Sequence, residues 1–385
     1  MRIVHLIAYI QPKLGYQEYF LAKEHAQMGH DITVVTSDRY APFPDYNNTI
    51  FPLLGKRIVG SGRYQCDGFK IIRLKTVFEI GCKVWLKGLR PVILKLRPDI
   101  VICHGMTCFY SNQIISLKKK MGFKLIYDDH SLPWVAKRGI TGKLFYFFFD
   151  FEEMSLCADK IIGIADGCVD VIVEKYNIPR ERVEMVPLGA DTELFKFEKK
   201  LRRDFREKYD IRDDEIVIVY TGRMNLPKPP HNIILAVNNL RNSLNKKVVL
   251  LFVGNMEESY RDIFRIHAQS VENFARVIAT GMVENTELVR IYSASDIGVW
   301  PMQATASTIE ALSCSLPVIC VDTVKERCKN QNGIAVREGN MEDLTTAILK
   351  LVNNDELRIE MGKRSRQLVE KELSWKIIAQ RFLEM

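Results

Sequence analysis

The sequence predicts an α/β protein built from two doubly wound domains, and three observations carry that prediction. Short apolar runs rich in Val and Ile, without strict alternation, recur from RIVHLIAYI at the start to LPVICVD near residue 322. Stretches of helical periodicity separate most of them, the order expected of parallel sheets covered on both faces. A chain of 385 residues at 47% hydrophobic also exceeds one average domain and supplies apolar material for two cores.

RIVHLIAYI reads as the first strand, and QEYFLAKEHAQMG after it has helical periodicity and ends at Gly29. DITVVTS is a second buried strand, and FKIIRLK, PDIVICHG, FKLIYDDH, KIIGIAD and VEMVPLG continue the pattern. Residues 192–214, TELFKFEKKLRRDFREKYDIRDD, are highly charged and hold no buried strand, which predicts a connection between domains. EIVIVYTG restarts the alternation, followed by VVLLFVG, ARVIATG, DIGVWP and LPVICVD. Two charged helical stretches and the aromatic segment SWKIIAQRFLEM close the chain. The expected division is 1–192 and 193–373, with a helix at about 374–385 packing back on the first domain.

The formal charge of +8 is unevenly placed. From Met1 to Asp150 there are 22 Lys and Arg against 11 Asp and Glu, so the remainder is slightly acidic. Lys56 to Arg97 holds 11 basic residues and two acidic ones, interleaved with apolar ones in CKVWLKGLRPVILKLRP. Such a segment fits an anionic membrane surface or a polyanionic ligand, and equally a solvated face whose lysine stems cover an apolar groove. It lacks the interleaved stacking aromatics of a nucleic-acid module, so no nucleic acid is expected.

No apolar run approaches the roughly 18 residues of a membrane span, and MRIVHLIAYI, broken by His5, is unlike a signal peptide. A soluble cytoplasmic protein is the expectation. The nine cysteines include no CxxC pair and sit largely in apolar runs, which points to buried thiols in a reducing compartment rather than a metal site.

Parallel strands present their carboxyl ends to a common crevice, so the residues after each strand are the candidates for chemistry. There is no GxGxxG and no Walker loop. After EIVIVY, Gly222 permits a sharp turn, and Arg223 and Lys228 place a guanidinium and an ammonium suited to a diphosphate, or simply solvated. In VWPMQATASTIEALSCSLPV the small residues Ala304 to Thr308 let backbone N–H groups approach a phosphate at a helix start, and Glu310 can accept two ribose hydroxyls. The same residues also read as an ordinary capping box, with Ser307 as N-cap and Glu310 as its partner.

In KLIYDDHSLPW, His130 has three open roles: general base, donor to a sugar hydroxyl, or a satisfied strand-end histidine. His104 in IVICHGMT shares that ambiguity. Adjacent strand residues point to opposite faces, so Asp128 and Asp129 do not share one metal. Gly15 marks a turn or close backbone approach before the first helix.

Taken together these stretches resemble the retaining glycosyltransferases of the GT-B fold, specifically the nucleotide-sugar-dependent family 4. ADKIIGIADGCVDVIVEKYNIPRERVEMVPLGADTELF is similar to that family's linker-side segment, with its PxGxDxxxF pattern at Pro187, Gly189, Asp191 and Phe195. TGRMNLPKPP resembles its GRxxxxK turn, ASDIGVWP its last donor-side strand, and MEDLTTAILKLVNNDELRIEMGKRSRQLVEKELSW its closing helices.

The resemblance implies two Rossmann-like domains facing across a cleft and transfer of a hexose or N-acetylhexosamine from a UDP or GDP sugar. The expected acceptor is a glycan or a polyprenyl-diphosphate-linked one, and the basic first domain, suited to an anionic carrier and bilayer, is what sets the expectation of contact with the inner face of the cell membrane. No cofactor and no metal is implied: Arg223 and Lys228 would hold the leaving diphosphate, and His130 would stand at the reacting sugar. Thr280, Gly281, Met282 and Val283 would bracket the nucleobase, Glu310 would hold the ribose, and Ser307 and Thr308 would meet the phosphates. Gly15 would let the first loop approach phosphate or acceptor. The chain departs from the family pattern at three places. Met302, followed by Gln303, stands where a sugar-contacting Glu is usual, with Thr305 in place of a Gly; Ser315 also replaces a Gly, and KPP replaces KG. A thioether is a poor acceptor for sugar hydroxyls, so Met302 puts donor choice in question and admits the alternative of a nucleotide-binding scaffold without turnover.

Overall fold

The computed structural model describes residues 1–131, 146–303 and 306–384. The chain divides into two compact units, one of Met1–Leu188 with Trp375–Met385 and one of Gly189–Ser374.

The first unit is built on strands β1 (Arg2–Leu6), β2 (Asp31–Ser37), β3 (Gly62–Cys66), β4 (Phe69–Leu74), β5 (Thr76–Ile80), β6 (Lys83–Leu86), β7 (Ile100–His104), β8 (Lys124–Asp129), β9 (Lys160–Gly163) and β10 (Val183–Met185). Eight of them form one sheet in the order β10-β9-β8-β7-β1-β2-β4-β3, parallel except for the edge pair β3–β4. At its centre Ile3 of β1 pairs with Ile32 on one side and Ile100 on the other.

The absence of alternation in these strands has a direct cause. Val4, Leu6, Val101, Cys103, Leu125 and Tyr127 enter one core, while Ile3, Ile102 and Ile126, one residue out of phase, enter another. Both faces are therefore covered, and no position along the strand is left for a polar face. The second of these cores is closed by the final helix, Trp375–Leu383, whose Trp375 stacks on Phe20 at 5.6 Å between ring centroids.

The basic stretch Lys56 to Arg97 contributes β3 and β4 to the edge of this sheet and then leaves it. β5 and β6 form a separate two-stranded hairpin, and the helix Leu89–Leu96 follows it. The hairpin is held from behind by Glu79, which accepts hydrogen bonds from Tyr9, Arg57 and Arg39.

The second unit carries β11 (Ile216–Thr221), β12 (Val248–Val253), β13 (Ala275–Ala279), β14 (Ile297–Trp300), β15 (Val318–Val321) and β16 (Gly333–Val336), all parallel, in the order β13-β12-β11-β14-β15-β16. Every residue of β11 and β12 is buried. Its helices Met341–Val352 and Asp355–Leu368 begin where Asn340 and Asn354 accept hydrogen bonds from the amides of Asp343 and Leu357, at 2.9 and 2.8 Å. Such caps satisfy amides that have no partner inside the helix.

Residues 192–214 are not a free connection but part of this unit. The helix Lys199–Lys208 lies among them, and two of its arginines, Arg202 and Arg206, face inward to partners while its other charges are largely exposed. Arg202 and Arg206 both bond Asp296, at 2.8 and 2.6 Å, and Arg206 is almost fully buried while bonding the Ala294 carbonyl. The charge that marks a linker in the sequence here closes a helix onto the end of the helix Leu288–Ala294. Just upstream, Asp191 of the PxGxDxxxF pattern accepts from the amides of Glu193 and Leu194, both at 3.1 Å, and Phe195 is fully buried.

Candidate active site

Four adjacent strands of the second unit, β13, β12, β11 and β14, end at one edge of the sheet, and the loops that leave them carry the donor-side candidates. Three glycines stitch those ends together. The Gly222 amide donates to the Val253 carbonyl and the Gly254 amide to the Gly281 carbonyl, each at 2.9 Å. Gly254 has φ +138°, and a Cβ there would stand 2.0 Å from the Gly222 carbonyl oxygen, so no larger residue fits.

Beyond Gly222 the loop is fastened on itself and to its neighbour. Tyr220 donates to the Arg223 carbonyl at 2.9 Å, the Lys228 amide donates to Asn225 Oδ1 at 3.1 Å, and Asn225 Nδ2 donates to Glu257 Oε1 at 2.8 Å. Arg223 and Lys228 are thereby held near each other. Burial, and then the positive charge of Arg223, push the Lys228 ammonium below its ordinary value. Arg223 has one weak counter-charge, Glu257 at 3.9 Å. Two cations that raise each other's energy form a site an anion would relieve.

After β13, the Thr280 amide donates to the Phe252 carbonyl at 3.0 Å, Gly281 takes φ +76°, Met282 is exposed, and Val283 is half-buried. After β14, Met302 and Gln303 are half-buried. Ala304 and Thr305 lie outside the described residues. The next helix runs Ser307–Ser313 with Ala306 as its N-cap, so the capping-box reading does not hold. Ser307 is already helical, and its hydroxyl donates to the Thr221 carbonyl at 3.3 Å, which also accepts from the Trp300 indole at 2.9 Å. Thr308 is buried and its hydroxyl has no partner among the described residues.

Glu310 turns inward instead of back to the cap. Its Oε1 accepts from Asn285 Nδ2 at 2.7 Å, and the Tyr292 hydroxyl, itself 2.9 Å from Thr221 Oγ1, lies against it. Burial lifts its pKa to about 7, with Asn285 and Tyr292 holding it from rising further. A carboxylate kept in this state gains from added hydroxyl donors, as a ribose diol would supply.

Models for two families match the chain, glycosyl transferases group 1 over residues 202–368 and glycosyltransferase family 4 over residues 19–194. The chain belongs to the group 1, family 4 glycosyltransferases. An uncharacterized glycosyltransferase of Methanocaldococcus jannaschii is 24% identical over 335 residues, covering 81% of each chain. The phosphatidylinositol N-acetylglucosaminyltransferase GPI3 subunit of Saccharomyces cerevisiae is 21% identical, covering all of this chain and 82% of its own length. Among solved structures, Anabaena HepE in complex with UDP matches with a TM-score of 0.71 at 13% identity, over 100% of this chain and 98% of its own. The fold is GT-B, with two Rossmann-like domains.

In this glycosyltransferase the first unit gathers a second set of candidates at the ends of β1, β7 and β8, three adjacent strands. Gly15, at φ +66°, ends the short helix Pro12–Leu14 and turns the chain into the helix Gln17–Gln27. That turn delivers Gln17 and Glu18, both buried, against β8. Gln17 Nε2 donates to Asp128 Oδ2 at 2.9 Å, His104 Nδ1 is 3.0 Å from the same oxygen, and His130 Nε2 is 3.3 Å from it. Residues 132–134 of the KLIYDDHSLPW motif lie outside the described residues.

Asp128 is fully buried, which alone would raise its pKa, yet the hydrogen bonds and charge of His104 and His130 hold it below the usual range. His130, whose side chain is exposed, is lifted in turn: partial loss of water beside the protein works against its charged form, but the bond to Asp128 and the negative charges of Asp128, Glu18 and Asp129 outweigh it. Asp129 points the other way, accepting from the amides of Met106 and Ser131 at 3.2 and 2.7 Å. Among the described residues, His104, Asp128 and His130 are the one cluster with histidine and carboxylate atoms within 4.8 Å of one another. Their shared contacts are a hydrogen-bonded chain through Asp128 Oδ2.

Several partners in both units escaped the sequence reading. Gly254, Asn225, Glu257, Asn285 and Tyr292 act on predicted residues across loops and left no local pattern. Gln17 and Glu18 open a helix where ordinary polar residues are usual. His5 did leave a signal, as the polar interruption of an apolar strand.

Proposed function

We propose that this glycosyltransferase transfers a hexose or N-acetylhexosamine with retention from a UDP or GDP sugar to a glycan or lipid-linked acceptor, without a metal. The observation that carries this reading is the Arg223 and Lys228 pair, two mutually destabilising cations fixed at a glycine-lined strand end. In the reaction the bond between the anomeric carbon and the diphosphate oxygen breaks, and its electron pair stays on the departing diphosphate. Arg223 and Lys228 stabilise that charge in place of a metal. The acceptor oxygen attacks the same face and passes its proton to the leaving phosphate, so no dedicated base is required. Glu310 holds the ribose, Thr280–Val283 bracket the base, and His130 donates toward the transferring sugar. UDP in the Anabaena relative supports a nucleotide-diphosphate donor.

The acceptor side meets an anionic membrane through the β5–β6 hairpin. Val77, Phe78, Ile80 and Trp85 are exposed on it, and Lys75, Lys87 and Arg90 stand exposed beside them. Apolar side chains ringed by cations suit an interface of acyl chains and anionic headgroups. Among the described residues no helix is long and apolar enough to cross a membrane.

A screen of UDP, GDP and ADP sugars by thermal shift, followed by assay of sugar release and transfer, tests the donor reading. Stabilisation by one nucleotide together with turnover is expected. Nucleotide binding with no sugar released from any donor would instead favour the scaffold alternative that Met302 admits. Sedimentation with vesicles tests the membrane reading, and equal binding to neutral and anionic vesicles at low salt would refute it.

A further inference from the structure

Four of the seven histidines of the chain, His5, His25, His104 and His130, lie on one continuous hydrogen-bonded line in the first unit. The line begins at the Ala379 carbonyl of the last helix, 2.9 Å from His25 Nε2. His25 Nδ1 is 3.1 Å from His5 Nε2, and His5 Nδ1 is 3.0 Å from His104 Nε2. His104 Nδ1 then meets Asp128 Oδ2 at 3.0 Å. The alternation of the strands aligns these groups: Ile3 with His5, Ile102 with His104 and Ile126 with Asp128 share one face of the sheet. His5 and His25 are fully buried, and His104 nearly so.

The direction of every bond in this line follows from its first acceptor. A carbonyl oxygen only accepts, so His25 Nε2 carries a hydrogen and donates to Ala379. Burial first, and the neighbouring histidines after it, push His5 well below its ordinary range; burial lowers His25 to about 4, against the bond to Ala379. The line between a carbonyl and a carboxylate carries one proton more than three neutral rings supply, and His104, the ring in contact with the Asp128 carboxylate, holds it best, so His5 and His25 are neutral with one hydrogen each. His25 Nδ1 must accept from His5 Nε2, and His5 Nδ1 must accept from His104 Nε2. A hydrogen must therefore lie between His104 Nδ1 and Asp128 Oδ2, 3.0 Å apart, and because Oδ2 also accepts from Gln17 Nε2 and is met by His130 Nε2, it is held as a carboxylate and the hydrogen belongs to His104; with neither protonated, two acceptors would face each other in a buried site. That arrangement carries the full cost of unpaired buried polar atoms.

We propose that His104 is an imidazolium, held in a buried ion pair with the Asp128 carboxylate by the tautomer chain from Ala379, and that this pair positions His130. The titratable groups that face His104 are His5 from β1, Glu18 from the helix Gln17–Gln27, Asp128 from β8 and His130 just beyond it. Asp128 Oδ2 then accepts from His104 Nδ1, Gln17 Nε2 and His130 Nε2 together. Those donors fix His130 with its Nε2 hydrogen turned to Asp128, leaving Nδ1 as the ring atom not committed to Asp128. His104, His5 and His25 are positioning residues in this scheme. The consequence for catalysis rests on the reading of His130 as the group at the sugar, but the protonation state does not.

Long-range nitrogen–proton NMR of the full chain with 15N-labelled histidine, recorded from pH 6 to 9, tests the proposal. The expected spectrum at pH 7 shows His104 with hydrogens on both ring nitrogens, and His5 and His25 as neutral rings protonated at Nε2. In Asp128→Asn the carboxamide can donate to His104 Nδ1, so the imidazolium pattern of His104 should be lost while His5 and His25 keep theirs. A neutral His104 in the unmodified protein at pH 7 would overturn the proposal, as would a Nδ1 resonance in the metal-bound range accompanied by stoichiometric metal. Loss of transfer activity on His130→Ala alone, with His104 still doubly protonated, is the result expected of the proposal. Unchanged activity there with His104 doubly protonated would overturn only the part that assigns His130 to the sugar.

Discussion

Glu310→Gln isolates the energetics of the buried carboxyl that Asn285 holds. The carboxyl of Glu310 rises from 4.5 in an ordinary setting to about 7 because it is buried and receives too few donors to offset the loss of water. At about 1.4 kcal/mol for each pH unit, ionising it in the folded state costs about 3 kcal/mol relative to the unfolded chain. Between pH 4.5 and about 7 the folded protein binds a proton that the unfolded chain has released. Stability from this group is therefore fully present below pH 4.5, falls as pH rises through that window, and levels off above it. Glutamine keeps the shape and the oxygen that accepts from Asn285 but has nothing to ionise. In urea denaturation at a series of pH values, the variant should match the parent near pH 4.5 and exceed it by about 3 kcal/mol at pH 8. All other groups titrate alike in both proteins and cancel in the difference. Parallel stability profiles across the range would refute the claim that Glu310 is a strained acid awaiting donors. The same variant should lose nucleotide-induced stabilisation, because a carboxamide accepts a diol less strongly than a carboxylate does.

Three further outcomes are expected. Arg223→Ala and Lys228→Ala should each lower kcat by about a hundredfold or more if both stabilise the leaving diphosphate, and unchanged turnover in both would remove the mechanism. Gly254→Ala sets a methyl group against the Gly222 carbonyl oxygen and should destabilise the second unit by more than about 2 kcal/mol, read by denaturation. Ser315 occupies φ +62°, a left-handed position where a side chain is strained, so Ser315→Gly should raise stability by about 0.5–1 kcal/mol.

That last case shows how far the sequence could be read. The departure from the family pattern at Ser315 was visible as a missing glycine, but its meaning needed a backbone angle. The strands β1, β2, β7, β8, β11, β12 and β14 could be read because both of their faces are buried, and an unbroken apolar run declares itself without knowledge of its neighbours. β3 and the β5–β6 hairpin could not be read so: their exposed residues Tyr64, Val77, Phe78, Ile80 and Trp85 mix with charges and mimic a solvated stretch. The helix Lys199–Lys208 misled for the opposite reason. Arg202 and Arg206 look like surface charge until Asp296, some ninety positions later, is seen to take both.

The candidate site divides along the same line. Arg223, Lys228 and Glu310 are close to landmarks their own segments supply, a strand end, a glycine or a helix start, and local pattern finds them. What fixes their electrostatic state comes from elsewhere in the sequence: Asn285 for Glu310, Glu257 for Arg223, Glu18 and Gln17 for the pocket of Asp128. The extreme is His25, whose hydrogen-bond direction is set by a carbonyl 354 residues away. Residue identity thus indicates which groups bear chemistry, while their protonation is decided by contacts that only the fold brings together. This is why the strand-end and helix-start positions of Arg223, Lys228 and Glu310 could be inferred from sequence and the histidine line could not.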